Sequence, residues 1–281
     1  MTFQTAPTQF VDVAGVKLAY RRLGHSQNGS VPVLYITHFR GTMDVIDPLL
    51  ANSIAASREL IVFDNAGVGH SEGAIPDTLH EAAATAVAFL AAINVPQADL
   101  LGFSMGGLIA QIIAIEHKEL VRKLVLSGTQ SSYAEGMVSG AREIFALAGA
   151  PDPTEDTMQA LFFYPTESSR ALGHAWWLRT HERSVAGETP TRFVDAAGGA
   201  KQQGAITHFV SDLSFFPKVK ELTLPILVTN GKNDVMTPTP NSWLIQQSLP
   251  DVTLILYPDS GHGHLYQEPE LYAKHLELFL G

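Results

Sequence analysis

The chain has 281 residues, of which 46% are hydrophobic and 16% are charged, enough for one large globular domain with or without an inserted subdomain. Its net charge of −10 argues against nucleic acid and anionic membranes as partners, and the absence of cysteine excludes disulfides, thiolate catalysis and cysteine-based metal sites. The N-terminus shows no secretory signal and no apolar run could span a bilayer, so we expect a cytoplasmic protein.

Eight short apolar runs predict strands. The first two, residues 9–13 and 16–22, are expected to form a hairpin around Ala14-Gly15. The other six are separated in several places by helical patterns and cover residues 31–37, 60–63, 98–103, 123–127, 225–230 and 253–257. This alternation predicts an α/β fold with a mostly parallel sheet and helices on both faces.

Two of the predicted helices have recognisable start signals. The pattern over residues 78–93 opens with a capping box, Thr78 with Glu81. Pro238, directly after Thr237 as a cap, predicts a second helix start, and residues 270–280 make a closing helix.

One region interrupts the strand–helix alternation. Residues 131–214 show no clear strand but carry helical stretches at 135–148, 154–163, 168–182 and 191–197. We interpret 131–214 as a helical cap inserted into a core domain formed by residues 1–130 and 215–281.

The most specific motif is Gly102-Phe103-Ser104-Met105-Gly106. It follows a predicted strand and precedes a predicted helix, which is the context of a nucleophile elbow. The turn would present the Ser104 hydroxyl in a cleft, while the glycines allow strand and helix to crowd together. A plain Ser/Gly turn is the alternative.

An acid and a base follow in the order that such a serine requires. Asp234 comes just after a buried strand, at the sheet edge where open α/β folds place ligands. His262 lies between two glycines in the loop after the last strand, and His264 is the second candidate for the base. Two histidines at this spacing could also suggest a metal, but nothing nearby completes such a site.

These motifs resemble the α/β-hydrolase superfamily over essentially the whole chain. The turn Asp64-Asn65-Ala66-Gly67-Val68-Gly69-His70-Ser71 is a further match. The resemblance implies an eight-stranded sheet, a cap after strand six and a Ser104–His262–Asp234 triad; among members, the chain looks most like small esterases and cofactor-free haloperoxidases.

The resemblance also places an oxyanion hole. Its donors would be the backbone N–H of Met105 and that of Phe39, in the loop after the third strand. Where the family usually has His-Gly, this chain has His38-Phe39, so the Phe ring would line the pocket while His38 anchors the loop. Arg40 would pair with Asp44 or Asp47, or hold a substrate carboxylate.

Two further features are open to more than one interpretation. Asp64 could be a second acid, although its Gly-rich turn favours hydrogen bonds to backbone. Aromatic residues of the predicted cap would mostly form its core, but adjacent Trp176 and Trp177 cannot share one helix face, so one of them could face the cleft, with His264 as a further pocket residue.

The sequence therefore predicts a cofactor-free, metal-free serine hydrolase of a small, largely apolar ester or lactone, with a homodimer as the candidate assembly. Alternatives on the same triad are a carbon–carbon bond hydrolase and a perhydrolase or haloperoxidase. A ligand-binding receptor or a non-hydrolytic biosynthetic enzyme would keep the fold without hydrolysis.

Overall fold

A computed structural model describes residues 1–26, 29–151 and 153–281. Its centre is one eight-stranded sheet in the order β1-β2-β4-β3-β5-β6-β7-β8. The β1–β2 and β2–β4 pairs are antiparallel and all the others are parallel. The strands are β1 Gln9–Val13, β2 Val16–Leu23, β3 Val33–Ile36, β4 Leu60–Phe63, β5 Ala98–Phe103, β6 Val121–Ser127, β7 Ile226–Gly231 and β8 Val252–Tyr257. The predicted fold class is confirmed.

Alternate residues of the central strands pack against opposite layers. Leu34 and Ile61 belong to the apolar cluster that includes buried residues of α2, α3 and α9, whereas Tyr35 and Val62 belong to the cluster containing those of α1 and α11. Both faces of the sheet are therefore covered, which is why its strands are continuous apolar runs. These helices are α1 Pro48–Ala55, α2 Leu79–Ala92, α3 Met105–Glu116, α9 Pro240–Ser248 and α11 Pro269–Leu280.

The chain between β6 and β7 is helical, and the part that the structure describes contains no strand there beyond a single bridge between Gly41 and Phe193. We call residues 131–214 the helical segment. Its helices are α4 Arg142–Ala148, α5 Glu155–Phe162, α6 Glu167–Arg179 and α7 Ala196–Val210; the short α8 Phe215–Val219 follows, and α10 His264–Gln267 lies after β8. None of the described helices is long and apolar enough to cross a membrane.

Three predicted helix starts are wrong, and hydrogen bonds to other side chains explain two of them. Thr237 does not cap a helix at Pro238: its N–H and hydroxyl bind Asp234, and α9 begins at Pro240. The helix predicted at 191–197 is replaced by extended chain around Val194, whose N–H and carbonyl bind Arg40. The helix predicted from residue 135 begins only at Arg142.

Candidate active site

Ser104 lies at the sharp turn between β5 and α3. Its φ of 56° and ψ of −120° belong to a region that residues with a Cβ rarely occupy, at a cost of about 1–3 kcal/mol. The backbones are crowded: a Cβ on Gly106 would lie 2.1 Å from the carbonyl oxygen of Ile36, and one on Gly102 would lie 2.5 Å from that of Gly106. The glycines are thus needed for the close approach of β3, β5 and α3.

Asp234 and His262 meet at the carboxyl ends of β7 and β8. The Nδ1 of His262 lies 2.8 Å from Oδ2 of Asp234, and both side chains are buried. The other carboxylate oxygen, Oδ1, accepts hydrogen bonds from the N–H groups of Met236 (2.7 Å) and Thr237 (2.9 Å). With Nδ1–H donating to the carboxylate, His262 keeps Nε2 as an acceptor.

The charge of this pair is stabilised locally. Burial opposes ionisation of Asp234, but the His262 imidazole and the hydrogen bonds from Thr237 outweigh it and lower the pKa of the carboxyl. Asp234 is therefore ionised at neutral pH, and its negative charge faces the His262 ring.

Ser104 and His262 line the same small cavity, of about 20 Å³, which opens beside the elbow. Phe103, the residue before Ser104, packs against the His262 ring with centroids 5.0 Å apart. The fold thus brings the three predicted catalytic side chains to one edge of the sheet.

Two backbone N–H groups next to Ser104 have no acceptor in the described chain. Met105 is the first residue of α3, where an N–H has no intrahelical partner. Phe39 lies in the turn after β3, and no described residue accepts a hydrogen bond from its N–H. Both residues line one cavity with Ser104, so both N–H groups are candidates for binding an anionic oxygen there.

A second, larger cavity of about 550 Å³ is also lined by Ser104. Its walls combine residues of the α/β core with residues of the helical segment. The core contributes Met105, Leu108, Met236 and Thr237, and the helical segment contributes Phe145, Ala146, Ala148, Gln203, Ile206 and Val210. A predominantly apolar group of moderate size fits this volume.

Neither tryptophan of α6 is among the residues that line these two cavities. Trp176 is fully buried, stacks on Tyr266 with ring centroids 5.4 Å apart, and contacts the tilted ring of Phe162 at 5.8 Å. Trp177 is half-buried beneath the guanidinium of Arg192, 4.8 Å from its ring centroid. The expectation that one of the pair faces the cleft differs from this placement, and the helical segment lines the cavities with Phe145, Phe162 and Phe193 instead.

His264 is not a pocket residue either. It is fully buried, and its Nε2 lies 3.1 Å from Ser127 Oγ and 3.0 Å from Thr229 Oγ1. Its Nδ1 lies 3.1 Å from the carbonyl oxygen of His262. Burial lowers the pKa of His264 to about 3, so the ring is neutral and supports the backbone that carries His262.

Arg40 lines the small cavity, but its guanidinium is directed to the helical segment. It donates hydrogen bonds to the carbonyl oxygens of Val194 (2.8 Å), Pro151 (2.9 Å) and Ala148 (3.4 Å). The predicted pairing with Asp44 or Asp47 is wrong, since Asp44 binds Arg21 at 2.7 Å and Asp47 binds Arg179 at 2.6 Å.

Asp64 is a buried turn residue. Its carboxylate accepts hydrogen bonds from the backbone N–H groups of Met43 (2.8 Å) and His70 (2.9 Å). Burial raises the pKa of Asp64 to about 6. The interpretation as a residue that binds turn backbone agrees with this geometry.

Sequence reasoning missed most of the residues that shape the larger cavity. Leu108 could have been found, because it lies one helical turn after Ser104 on α3. Ile206 and Gln203 of α7 carry no such signal, since their place in the site depends on how the helical segment folds back over the sheet. The described residues include no group of three or more His, Asp or Glu side chains that could hold a metal ion.

Comparison with known proteins agrees with this architecture. Residues 31–269 match the family model of the alpha/beta hydrolase fold. An alpha/beta hydrolase fold protein from Chitinophaga pinensis superposes with a TM-score of 0.88 at 34% identity, over 100% of this chain and 99% of that one. A 2-hydroxymuconate semialdehyde hydrolase from Pseudomonas putida is 27% identical over 98% of this chain and 96% of its own.

A meta-cleavage product hydrolase from Pseudomonas fluorescens IP01 is similar in fold alone, with a TM-score of 0.73 at 18% identity over 96% of each chain. The family match covers far more than half of the sequence, and the relatives named here are hydrolases. The chain therefore belongs to the alpha/beta hydrolase fold family and is an enzyme with hydrolase activity.

Proposed function

We propose that this enzyme is a serine hydrolase that cleaves a small, largely apolar ester or lactone through an acyl-enzyme on Ser104. The observation that carries the proposal is the buried Asp234–His262 pair, 2.8 Å apart, beside a serine held in an elbow. In this arrangement His262 Nε2 removes the proton from Ser104 as its oxygen attacks the carbonyl carbon.

The oxyanion that forms would bind the N–H groups of Phe39 and Met105. Loss of one such donor costs roughly 3–4 kcal/mol of transition-state stabilisation. His262 then protonates the leaving alcohol, and Asp234 balances the imidazolium charge during both steps. Water completes the cycle by hydrolysing the acyl-enzyme.

The lining of the larger cavity favours a substrate with an apolar acyl group. Leu108, Met236 and Ile206 line it, and it is continuous with Ser104 and both oxyanion donors. Because α4 and α7 supply several of its walls, we infer that the helical segment acts as a cap that selects substrates without supplying the triad.

The nucleophile is tested by comparing Ser104→Ala with Ser139→Ala, a matched change of another serine that lines the larger cavity. A fluorophosphonate probe should label the wild type and Ser139→Ala but not Ser104→Ala. The Ser104→Ala variant should lose at least roughly a thousandfold in kcat while its circular dichroism stays unchanged, since the triad acts as a unit. Labelling at a different serine of the folded enzyme would refute the assignment.

A carbon–carbon bond hydrolase is the second candidate, favoured by the similarity to the 2-hydroxymuconate semialdehyde hydrolase. A panel of p-nitrophenyl esters, lactones, β-diketones, and acetate with peroxide and bromide separates these activities. Highest kcat/KM on β-diketones would select the second candidate, and activity only with peroxide and bromide would select a perhydrolase. No turnover, together with a ligand-dependent thermal shift, would favour a receptor.

A further inference from the structure

His38 carries a buried nitrogen that the described chain leaves without a partner. The ring is 3% exposed, and its Nδ1 lies 2.9 Å from the carbonyl oxygen of Phe39. A carbonyl can only accept, so Nδ1 carries the hydrogen and Nε2 carries a lone pair. No described residue donates a hydrogen bond to Nε2.

This lone pair is present at neutral pH. Burial lowers the pKa of His38 to about 4, although the hydrogen bond to the Phe39 carbonyl works in the opposite direction. The imidazole is therefore neutral, and Nε2 is an acceptor for a ligand that brings its own hydrogen.

His38 and His262 both pack against the rings of Phe103 and Phe162. Phe103 lies 5.4 Å from the His38 ring and 5.0 Å from the His262 ring, between centroids. Phe162 lies 5.1 Å from His38 and 5.3 Å from His262. Both histidines line the small cavity together with Ser104.

The small cavity has the size of a water site. Its volume of about 20 Å³ is enough for one water molecule, whereas the larger cavity has about 550 Å³. Met158, Leu161 and Phe162 supply apolar walls, so few polar groups can orient a molecule there.

We propose that His38 Nε2 accepts a hydrogen bond from the water that hydrolyses the acyl-enzyme and thereby orients its oxygen toward the acyl carbon. This inference rests on the proposed acyl-enzyme at Ser104. The water oxygen forms a bond to the acyl carbon, one proton passes to His262 Nε2, and the other stays directed at His38. The bond from carbon to Ser104 Oγ then breaks, the proton on His262 returns to Oγ, and a carboxylic acid leaves.

The two half-reactions differ in their need for this acceptor. During acylation the leaving ester oxygen carries no hydrogen, so it has nothing to donate to His38. Water has two O–H hydrogens: one passes to His262, and the other donates a hydrogen bond to His38. Methanol has a single O–H hydrogen, which passes to His262, so attack by methanol on the acyl-enzyme does not need His38.

The test uses stopped-flow kinetics with a p-nitrophenyl ester, intact-protein mass spectrometry and product analysis in water–methanol mixtures. His38→Phe and His38→Leu both remove the imidazole acceptor, and Thr157→Val is the control, because it removes a hydroxyl from the same cavity and leaves His38 in place. In the His38 variants the burst of p-nitrophenolate should keep its rate within about threefold, while steady-state turnover falls about 100-fold as for a misplaced reactant. The acyl-enzyme should accumulate, and the ratio of methyl ester to acid should rise by a similar factor; Thr157→Val should leave that ratio unchanged.

The same data separate failure of the two proposals. A wild type without a burst and without an adduct on Ser104 would refute the acyl-enzyme itself. If the wild type shows both a burst and an adduct, the His38 variants decide the second proposal. Variants that slow the burst and the turnover equally, or that keep the wild-type ratio of methyl ester to acid, would overturn the role of His38 alone. If His38→Phe does not fold, His38→Leu provides the same test, because it also removes the acceptor.

Discussion

Arg40 is expected to hold the helical segment against the α/β core, and Arg40→Met tests this. Its guanidinium donates to carbonyl oxygens of Val194, Pro151 and Ala148, all within residues 131–214. Its own backbone N–H donates to Oε1 of Gln202, on α7, at 2.8 Å. Methionine retains much of the side-chain volume and removes the side-chain donors.

The magnitude follows from these contacts. A hydrogen bond from a charged group contributes about 1.5–3 kcal/mol, and removing the donor leaves carbonyl groups unpaired in a buried place. The bonds to Val194, Ala150 and Pro151 are all at or below 2.9 Å, so the substitution should cost about 3–5 kcal/mol. The substitution should lower the free energy of local opening of the helical segment, because all of these bonds end in that segment and none ends in the sheet.

Hydrogen exchange followed by mass spectrometry measures this opening. Peptides covering α4 and α5 should exchange at least about 100-fold faster in Arg40→Met, since each 1.4 kcal/mol corresponds to a factor of ten. Peptides of the central strands β3 to β6 should change much less. Arg170→Met, an exposed arginine on α6, is the control and should match the wild type. Unchanged protection of α4 and α5, or an equal loss across the sheet, would refute the reasoning.

Two further outcomes concern stability. Trp176→Ala should lower the free energy of unfolding by about 3–5 kcal/mol in a denaturant titration, because it deletes a fully buried ring stacked on Tyr266; a loss below 1 kcal/mol would contradict this. Burial opposes ionisation of Asp44, but the His70 hydrogen bond and the charge of Arg21 outweigh it and lower its pKa from 3.8 to about 2. A lowered carboxyl pKa stabilises the fold above pH 3.8 and ceases to do so as the pH falls through 2, so about 2–3 kcal/mol should be lost between pH 4 and pH 2. Asp44→Asn should flatten this part of the unfolding profile relative to the wild type, and an equally steep profile would contradict the assignment.

The sequence alone determined the sheet and the order of the candidate catalytic residues. Strands β4 and β5 begin and end where the apolar runs do, because a strand covered on both faces must be apolar throughout. The elbow was recognisable because only glycine permits the crowding on either side of Ser104. Asp234 and His262 could be placed at one sheet edge because parallel strands all end there.

Residues whose partners lie far along the chain were decided only by the tertiary structure. Arg40 binds carbonyl oxygens more than 100 positions away, and Trp176 stacks on Tyr266 rather than facing the cleft. Local sequence patterns indicate which face of a strand or helix is buried. The contacts of Arg40 and Trp176 cannot be predicted in this way, because their partners meet them only once the helical segment has packed against the sheet.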